Sequence, residues 1–321
     1  MHAVMPDRAT LLRRILRRAD APHVIDQLAG MSGTELTTVL LEIMRLRADA
    51  VAPAALLQAY QDNRFVGPSP VPWSVLRDTE TRALRAVPAA FDVMQLSPVV
   101  PLATNSAVAP VHQDIVISAL RGVEVLADPT NALALEAACR RGALLREHPR
   151  SAELVRLATS HRVVRAQRFG PGAFAHFQLL ALVTAGRDTG QGTFEQDAAV
   201  EHLSICVDAC HATGASHVRL ALTDLTGDAF RGVETRLREA FAGDPSVTVA
   251  SWQDRPGGRG YYAGFCYKVY ATYDGVTLEV GDGGCVDWTQ QLLANRKERL
   301  FTSGLGLDRM AAPGESPDPD A

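Results

Sequence analysis

The chain has 321 residues, of which 47% are apolar and 21% charged, with a formal net charge of −4. That length and apolar share allow one large domain or two ordinary ones around a sizeable core. The acidic balance argues against a protein built chiefly to hold nucleic acid, which needs clustered Lys and Arg.

No apolar run reaches the roughly 18–20 residues that cross a bilayer, and the basic start MHAVMPDRATLLRRILRRAD has no apolar signal core. Cys139, Cys206, Cys210, Cys266 and Cys285 are an odd number spread thinly. That pattern fits the reduced thiols of a cytoplasmic protein better than a disulfide framework.

In chain order, residues 1–72 read as a helical N-terminal domain. LLRRILRR, GTELTTVLLEIMRLRA and PAALLQAYQ each repeat apolar residues at three- and four-residue spacing. VGPSPVPW (66–73), with three prolines and a glycine, reads as the linker. From 73 to 310 the pattern changes. Strand-like runs occur at AFDVMQLSPVV, HRVVRAQRF, QLLALVTAG, SHVRLALTD, SVTVASW, YYAGFCYKVYAT and GVTLEVG. Helices fall at NALALEAACRRGALL, FEQDAAVEHLSICVDACHATG and AFRGVETRLREAFAG, and the run before SGLGLDRM reads as an apolar, charged helix. Short glycine-containing connections such as TYDGVTL imply antiparallel pairing and exclude a purely parallel sheet. The fold class is α+β. Residues 311–321, rich in Pro and acids, read as a disordered tail.

The sequence has no G-x-x-x-x-G-K-[ST], and no G-x-G-x-x-G between a strand and a helix. A phosphate would therefore be held by arginines on an antiparallel sheet, where the planar guanidinium gives bidentate contacts and keeps its charge. HRVVRAQRFGPGAFAHFQLL, RPGGRGYYAGFCYKVY and SGLGLDRM combine such arginines with glycines. His202, Cys206 and Cys210 share a helix face that zinc would accept, but burial against a sheet is the expected role. Arg13, Arg14, Arg17 and Arg18 form a basic helix face read as solvated.

In their order these segments resemble the class II aminoacyl-tRNA synthetase catalytic core, closest to histidyl-tRNA synthetase and its paralogues, over residues 76–310. LADPTNALALEAACRR resembles the segment that brings a carboxylate and a Thr to the amino-acid pocket, which implies Asp128 and Thr130. VRAQRFGPGAFAHFQ resembles motif 2, and SGLGLDRM resembles motif 3. The resemblance then implies Arg165 on the ATP α-phosphate, Arg309 on the γ-phosphate, and Gln167, Phe177, Gly304 and Gly306 around the nucleotide. GRGYYAGFCYKVY resembles the RGLDYYTG-type motif and VGDGGCVDW the GGGRYDG strand end. Those matches imply Arg259 as a catalytic arginine, with Tyr261, Tyr262, Gln178 and Gly283 on the substrate side. Alternation along a strand would let only one of the two tyrosines face the pocket, and Asp128 serves equally well as a helix cap.

The chain departs from the family's pattern at several places. Gln167 stands where motif 2 has Glu, Ala173 and Ala175 where its loop has arginines, and Leu179 where a Gln orients the substrate amine. Cys285 replaces an Arg, an ungapped match puts Gly257 at the position of Arg259, and no anticodon-binding domain follows.

The function implied is an ATP- and Mg2+-dependent ligase. It would form an adenylate of an amino acid or related carboxylate and pass it to a small amine or carrier protein rather than to tRNA. A homodimer through residues 76–102, with Pro98 and Pro101, is part of the same implication. The alternative is a non-catalytic paralogue that senses an amino acid and accompanies a partner enzyme. A third possibility is an enzyme directed at the tRNA acceptor stem.

Overall fold

The computed structural model describes residues 7–167, 174–226, 231–255 and 260–313. Most of the tail, 314–321, lies outside the described residues. Four helices come first, α1 (Arg8–Arg18), α2 (Val24–Ala29), α3 (Gly33–Asp49) and α4 (Pro53–Asp62), and none contains a buried residue. Local chemistry sets their ends. Ser32 and Glu35 close a capping box on α3, and Pro53 occupies the first turn of α4, where its missing N–H costs nothing.

The remaining elements are α5 (Trp73–Arg85), β1 (Asp92–Val93), β2 (Val99–Pro101), β3 (Ser118–Ala119), β4 (Val123–Val125), α6 (Pro129–Glu147), β5 (Val155–Val164), β6 (His176–Arg187) and α7 (Thr193–Ala212). They continue with β7 (His217–Asp224), α8 (Arg231–Ala240), β8 (Val247–Ser251), β9 (Phe265–Tyr273), β10 (Val276–Val286), α9 (Trp288–Leu292), β11 (Glu298–Gly306) and α10 (Leu307–Ala311). The eight-stranded sheet has the order β1-β5-β6-β11-β10-β9-β7-β8, antiparallel except at its two edges, where β1 pairs with β5 and β7 with β8 in parallel. A smaller sheet, β2-β4-β3, lies beside it.

The β9–β10 hairpin turns on Asp274-Gly275, both at positive φ (49° and 82°), the backbone that a two-residue hairpin loop needs. The helix expected before SGLGLDRM is only α9. Glu298 onward is a central strand, because its side chains alternate between two buried faces of the sheet.

One face of the sheet packs on α7, with Leu203, Cys206 and Cys210 against Leu220, Tyr267 and Phe301. His202 on that helix is also buried, with Nε2 against Thr184 Oγ1 at 2.9 Å and Nδ1 against Ser303 Oγ at 2.7 Å. Desolvation pushes its ring down to about 3, so it sits there neutral. On the other face α6 covers β5 and β6 through Leu133, Ala134 and Ala137 against Leu157, Ala181 and Val183. Among the described residues no helix is long and apolar enough to cross a membrane.

Arg141 of α6 and Glu298 of β11 are both fully buried and paired at 2.8 Å. Arg141→Ala leaves an uncompensated buried carboxylate and should cost about 3–5 kcal/mol in urea unfolding, whereas the double variant Arg141→Met/Glu298→Leu should cost far less.

Candidate functional site

Where α6 stops covering the sheet, a cavity of about 750 Å³ opens. Its floor is a row of paired positions across three strands: Asp282 on β10, Gly304 on β11 and Ala181 on β6. Small residues make the hollow, since a Cβ added to Gly304 would meet nothing within 4 Å. A register shift between Glu279 and Gly281 resets the alternation of β10. Glu279 pairs with Tyr270 and Asp282 with Lys268, so two carboxylates three residues apart both line the cavity.

At one end α6 begins. Asp128 caps it, with Oδ1 accepting from Thr130 N at 3.0 Å and Thr130 Oγ1 at 2.7 Å, and Pro129 fills the first turn. The other carboxylate oxygen of Asp128 faces Arg165 at 3.4 Å. Arg165 Nε donates to the Ala127 carbonyl at 2.9 Å, and its guanidinium stands 5.2 Å from the Phe177 ring centre. The residue that caps α6 thus also lines the cavity. Upstream, Glu124 is buried beneath the small sheet. Burial alone would raise its carboxyl, but hydrogen bonds from Asn105, Gln113 and Ala103 pull it below the ordinary range and fix the strand leading to Asp128.

Tyr261 and Tyr262 both line the cavity, contrary to the alternation argument, because they sit in a bend before β9 rather than on it. Their rings meet edge-on at 4.9 Å, and Tyr261 meets Trp288 at 5.5 Å. Burial pushes both phenols well above their usual range, so they remain hydroxyl donors.

Asp282 has 45% of its side chain exposed, and the cavity is what it faces. Enclosure still raises its carboxyl, opposed by Arg255, which is 3% exposed and 3.4 Å away. Sequence reasoning misses both Arg255 and Asp282. The register shift that turns Asp282 inward depends on β9, and Arg255 lies outside the RGLDYYTG-type motif.

At the other end, α10 starts directly off β11 and places Arg309 in its first turn. Arg309 Nη1 donates to the Glu279 carbonyl at 2.7 Å. Its neighbour Asp308 turns inward and accepts from Gln178 N at 2.5 Å. Gly306 and Gln167 also line the cavity.

Two expected substrate residues do not. Gln178 pairs with Arg162 on the opposite face of the β5–β6 ladder and gives its side chain to Ser160 Oγ and Glu80, while Phe177 and Leu179 face the cavity. Gly283 also faces away, since a Cβ there would collide with the Tyr267 hydroxyl. Arg259, Gly257 and Ala173 lie outside the described residues. Among the described residues, no three His, Cys, Asp or Glu side chains cluster as metal ligands.

No family model matches the chain, and no curated protein matches it. Solved structures do. An ATP phosphoribosyltransferase regulatory subunit/histidyl-tRNA synthetase from Bacillus halodurans superposes with a TM-score of 0.58 at 14% identity, over 78% of this chain and 82% of that one. A histidine–tRNA ligase subunit from Alicyclobacillus acidocaldarius gives 0.56 at 15%, over 77% and 94%. Histidyl-tRNA synthetase from Nostoc gives 0.54 at 15%, over 77% and 73%.

The chain has the fold of a class II aminoacyl-tRNA synthetase catalytic core. At these identities the likeness carries the fold and leaves the chemistry to the site. In the class II framework, the segment read as motif 2 is the β5–β6 connection, and the segment read as motif 3 is β11 running into α10.

Removing the node that joins the two ends of the motif 2 wall should be measurable. Asp128→Ala should lower stability by about 1 kcal/mol through loss of the α6 cap, and Asp128→Asn, which keeps a cap oxygen, by less, both read from urea midpoints.

Proposed function

We propose that this protein is an ATP-dependent ligase that activates the carboxylate of an amino acid or close analogue. The observation that carries this reading is that one continuous cavity holds the two cations suited to a triphosphate, Arg165 and Arg309, and an aromatic end with Asp128, Thr130, Tyr261 and Tyr262. The bare floor at Gly304 leaves room for a flat base beside Phe177. At the opposite end Asp128 and the two phenols suit an ammonium and a polar side chain.

The reaction asks for positioning and charge stabilisation rather than covalent help. A substrate carboxylate oxygen attacks the α-phosphorus, the bond from that phosphorus to its bridging oxygen breaks, and pyrophosphate leaves with the electron pair. An acceptor nucleophile then attacks the acyl carbon of the adenylate and AMP departs. Arg165 stands where charge grows on the α-phosphate, and Arg309 stands at the far end for the γ-phosphate. Mg2+ keeps most of its water and needs only one or two carboxylates beside phosphate oxygens. Glu279 and Asp282 are the two carboxylates of β10 that would hold it, Glu279 only by giving up its 2.8 Å pair with Lys268 and Asp282 its looser one with Arg255. Bound there, the ion would neutralise charge on the leaving pyrophosphate.

The acceptor is proposed to be a small amine or carrier protein. A homodimer would cover the exposed Val75, Val93 and Leu102 along α5, β1 and the turn after β2.

A second reading is favoured by the ties Arg165 makes inside the protein, to Ala127 and Asp128, and by Gln167 in place of a carboxylate. It is a non-catalytic amino-acid sensor accompanying an enzyme, and a regulatory subunit is among the proteins that superpose on this fold. ATP–pyrophosphate exchange with a panel of amino acids separates the two. A ligase exchanges label with one of them. A sensor exchanges with none, yet binds an amino acid by calorimetry without ATP and co-purifies with its enzyme. Arg309→Ala should lower exchange by about two orders of magnitude with an unchanged unfolding midpoint, and full retained exchange would sink the γ-phosphate assignment.

A further inference from the structure

The segment joining α4 to α5 runs along the mouth of the cavity instead of away from it. Asn63 opens it with a turn in which Oδ1 accepts from Phe65 N at 3.0 Å. That turn aims Arg64 at the end of β5. Arg64 donates from Nη1 to the Gln167 carbonyl at 2.8 Å and from Nη2 to the Ala166 carbonyl. His176 Nδ1 accepts from Arg162 Nε at 3.0 Å, which leaves the ring proton on Nε2 to donate to the Gly67 carbonyl at 2.6 Å. Ser69 Oγ donates to Asp308 at 3.4 Å. Pro70 and Val71 then line the cavity, and their other side lines a second hollow of about 580 Å³.

Each anchor falls on a residue assigned to the nucleotide or on its chain neighbour. Ala166 and Gln167 follow Arg165, His176 precedes Phe177, and Asp308 precedes Arg309. We propose that residues 64–71 are a strap forming one wall of the nucleotide end, with Arg64 as a positioning residue that holds the Arg165 segment in place. This inference rests on the nucleotide reading above and extends it to the role of the N-terminal segment. One guanidinium pinning two successive carbonyls fixes the orientation of both peptides, which a single ammonium does not do. Arg64 reaches the site through the Ala166 and Gln167 carbonyls, while Pro70 and Val71 line the cavity directly. Their effect should therefore fall on nucleotide affinity and spare the amino-acid end, where the strap has no described contact. By linkage, a strap that favours bound nucleotide is itself favoured by it to the same factor.

The test uses the full chain. Arg64→Ala should raise the KM for ATP in pyrophosphate exchange on the order of tenfold, the loss of a charge-assisted hydrogen bond. The amino-acid KM and Tm should stay unchanged, and Arg64→Lys should recover part of the loss. In the wild type, ATP should slow tryptic cleavage after Arg64, followed by mass spectrometry, and Ser69→Ala should weaken that protection.

The strap is overturned if the wild type binds ATP while Arg64→Ala binds it equally well and ATP leaves the cleavage rate alone. A parallel rise in both KM values with a lower Tm would mean a general structural role and overturns the positioning claim. A wild type that binds no ATP by calorimetry overturns the nucleotide reading first, and the strap with it.

Discussion

A single buried guanidinium organises the elements that meet at the cavity. Taking Arg141 and Glu298 out of water is expensive unless the donors find partners, and four of the five guanidinium N–H groups do. Arg141 gives Nε and Nη2 to Glu298, Nη1 to the Glu153 carbonyl and Nη2 to that of Ser151. That knot joins α6, the entry to β5 and the first residue of β11. All three elements then run from the knot toward the cavity. The helix carries back about 20 Å to Asp128, and the strands carry forward about 27–33 Å to Gly306 and Arg165. Fixing the distant ends sets where the near ends emerge, so packing far from the cavity decides its geometry.

The hollow itself is made by omission. A sheet this well covered on both faces would normally bury a side chain at every position. Gly304, Gly306 and Ala181 withhold theirs on the cavity side. Gly281 and Gly283 are glycine for a different reason, since a Cβ at either would strike a neighbouring strand or Tyr267. Glycines that look equivalent in the sequence therefore divide into those that leave space for a ligand and those that let strands approach.

That division explains what the sequence can and cannot yield. Strands β5 to β10 are legible because β-branched alternation and short turns are local signals. Arg165, Asp128 and Arg309 come from the resemblance to the class II core, and all three line the cavity. Parity is not legible. Chemistry favours Gln178 over Leu179, but the register against β5 turns Gln178 to the far face. Tyr261 and Tyr262 read as part of a strand that begins only at Phe265. Asp282 turns inward through a shift that exists only in the pairing of two strands. The start of β11 reads as helix because ERLF has no helix breaker, and its central place in the sheet overrides propensity.

Electrostatic pairing ranks the cations an incoming anion could recruit. Lys268 sits 2.8 Å from Glu279 and lies over Trp252, a close and well-covered pair that an anion would have to break. Arg165 is held to Asp128 at 3.4 Å, longer than a strong charge-assisted bond, with about a third of its side chain exposed. Arg309 is bonded to a backbone carbonyl and, among the described residues, to no carboxylate. An anion entering the cavity would therefore meet Arg309 first and reach Arg165 by loosening a weak pair. Because Asp128 also caps α6, loosening that pair frees the arginine while leaving the carboxylate anchored to the helix. The same side chain can then hold a cation of the ligand without moving.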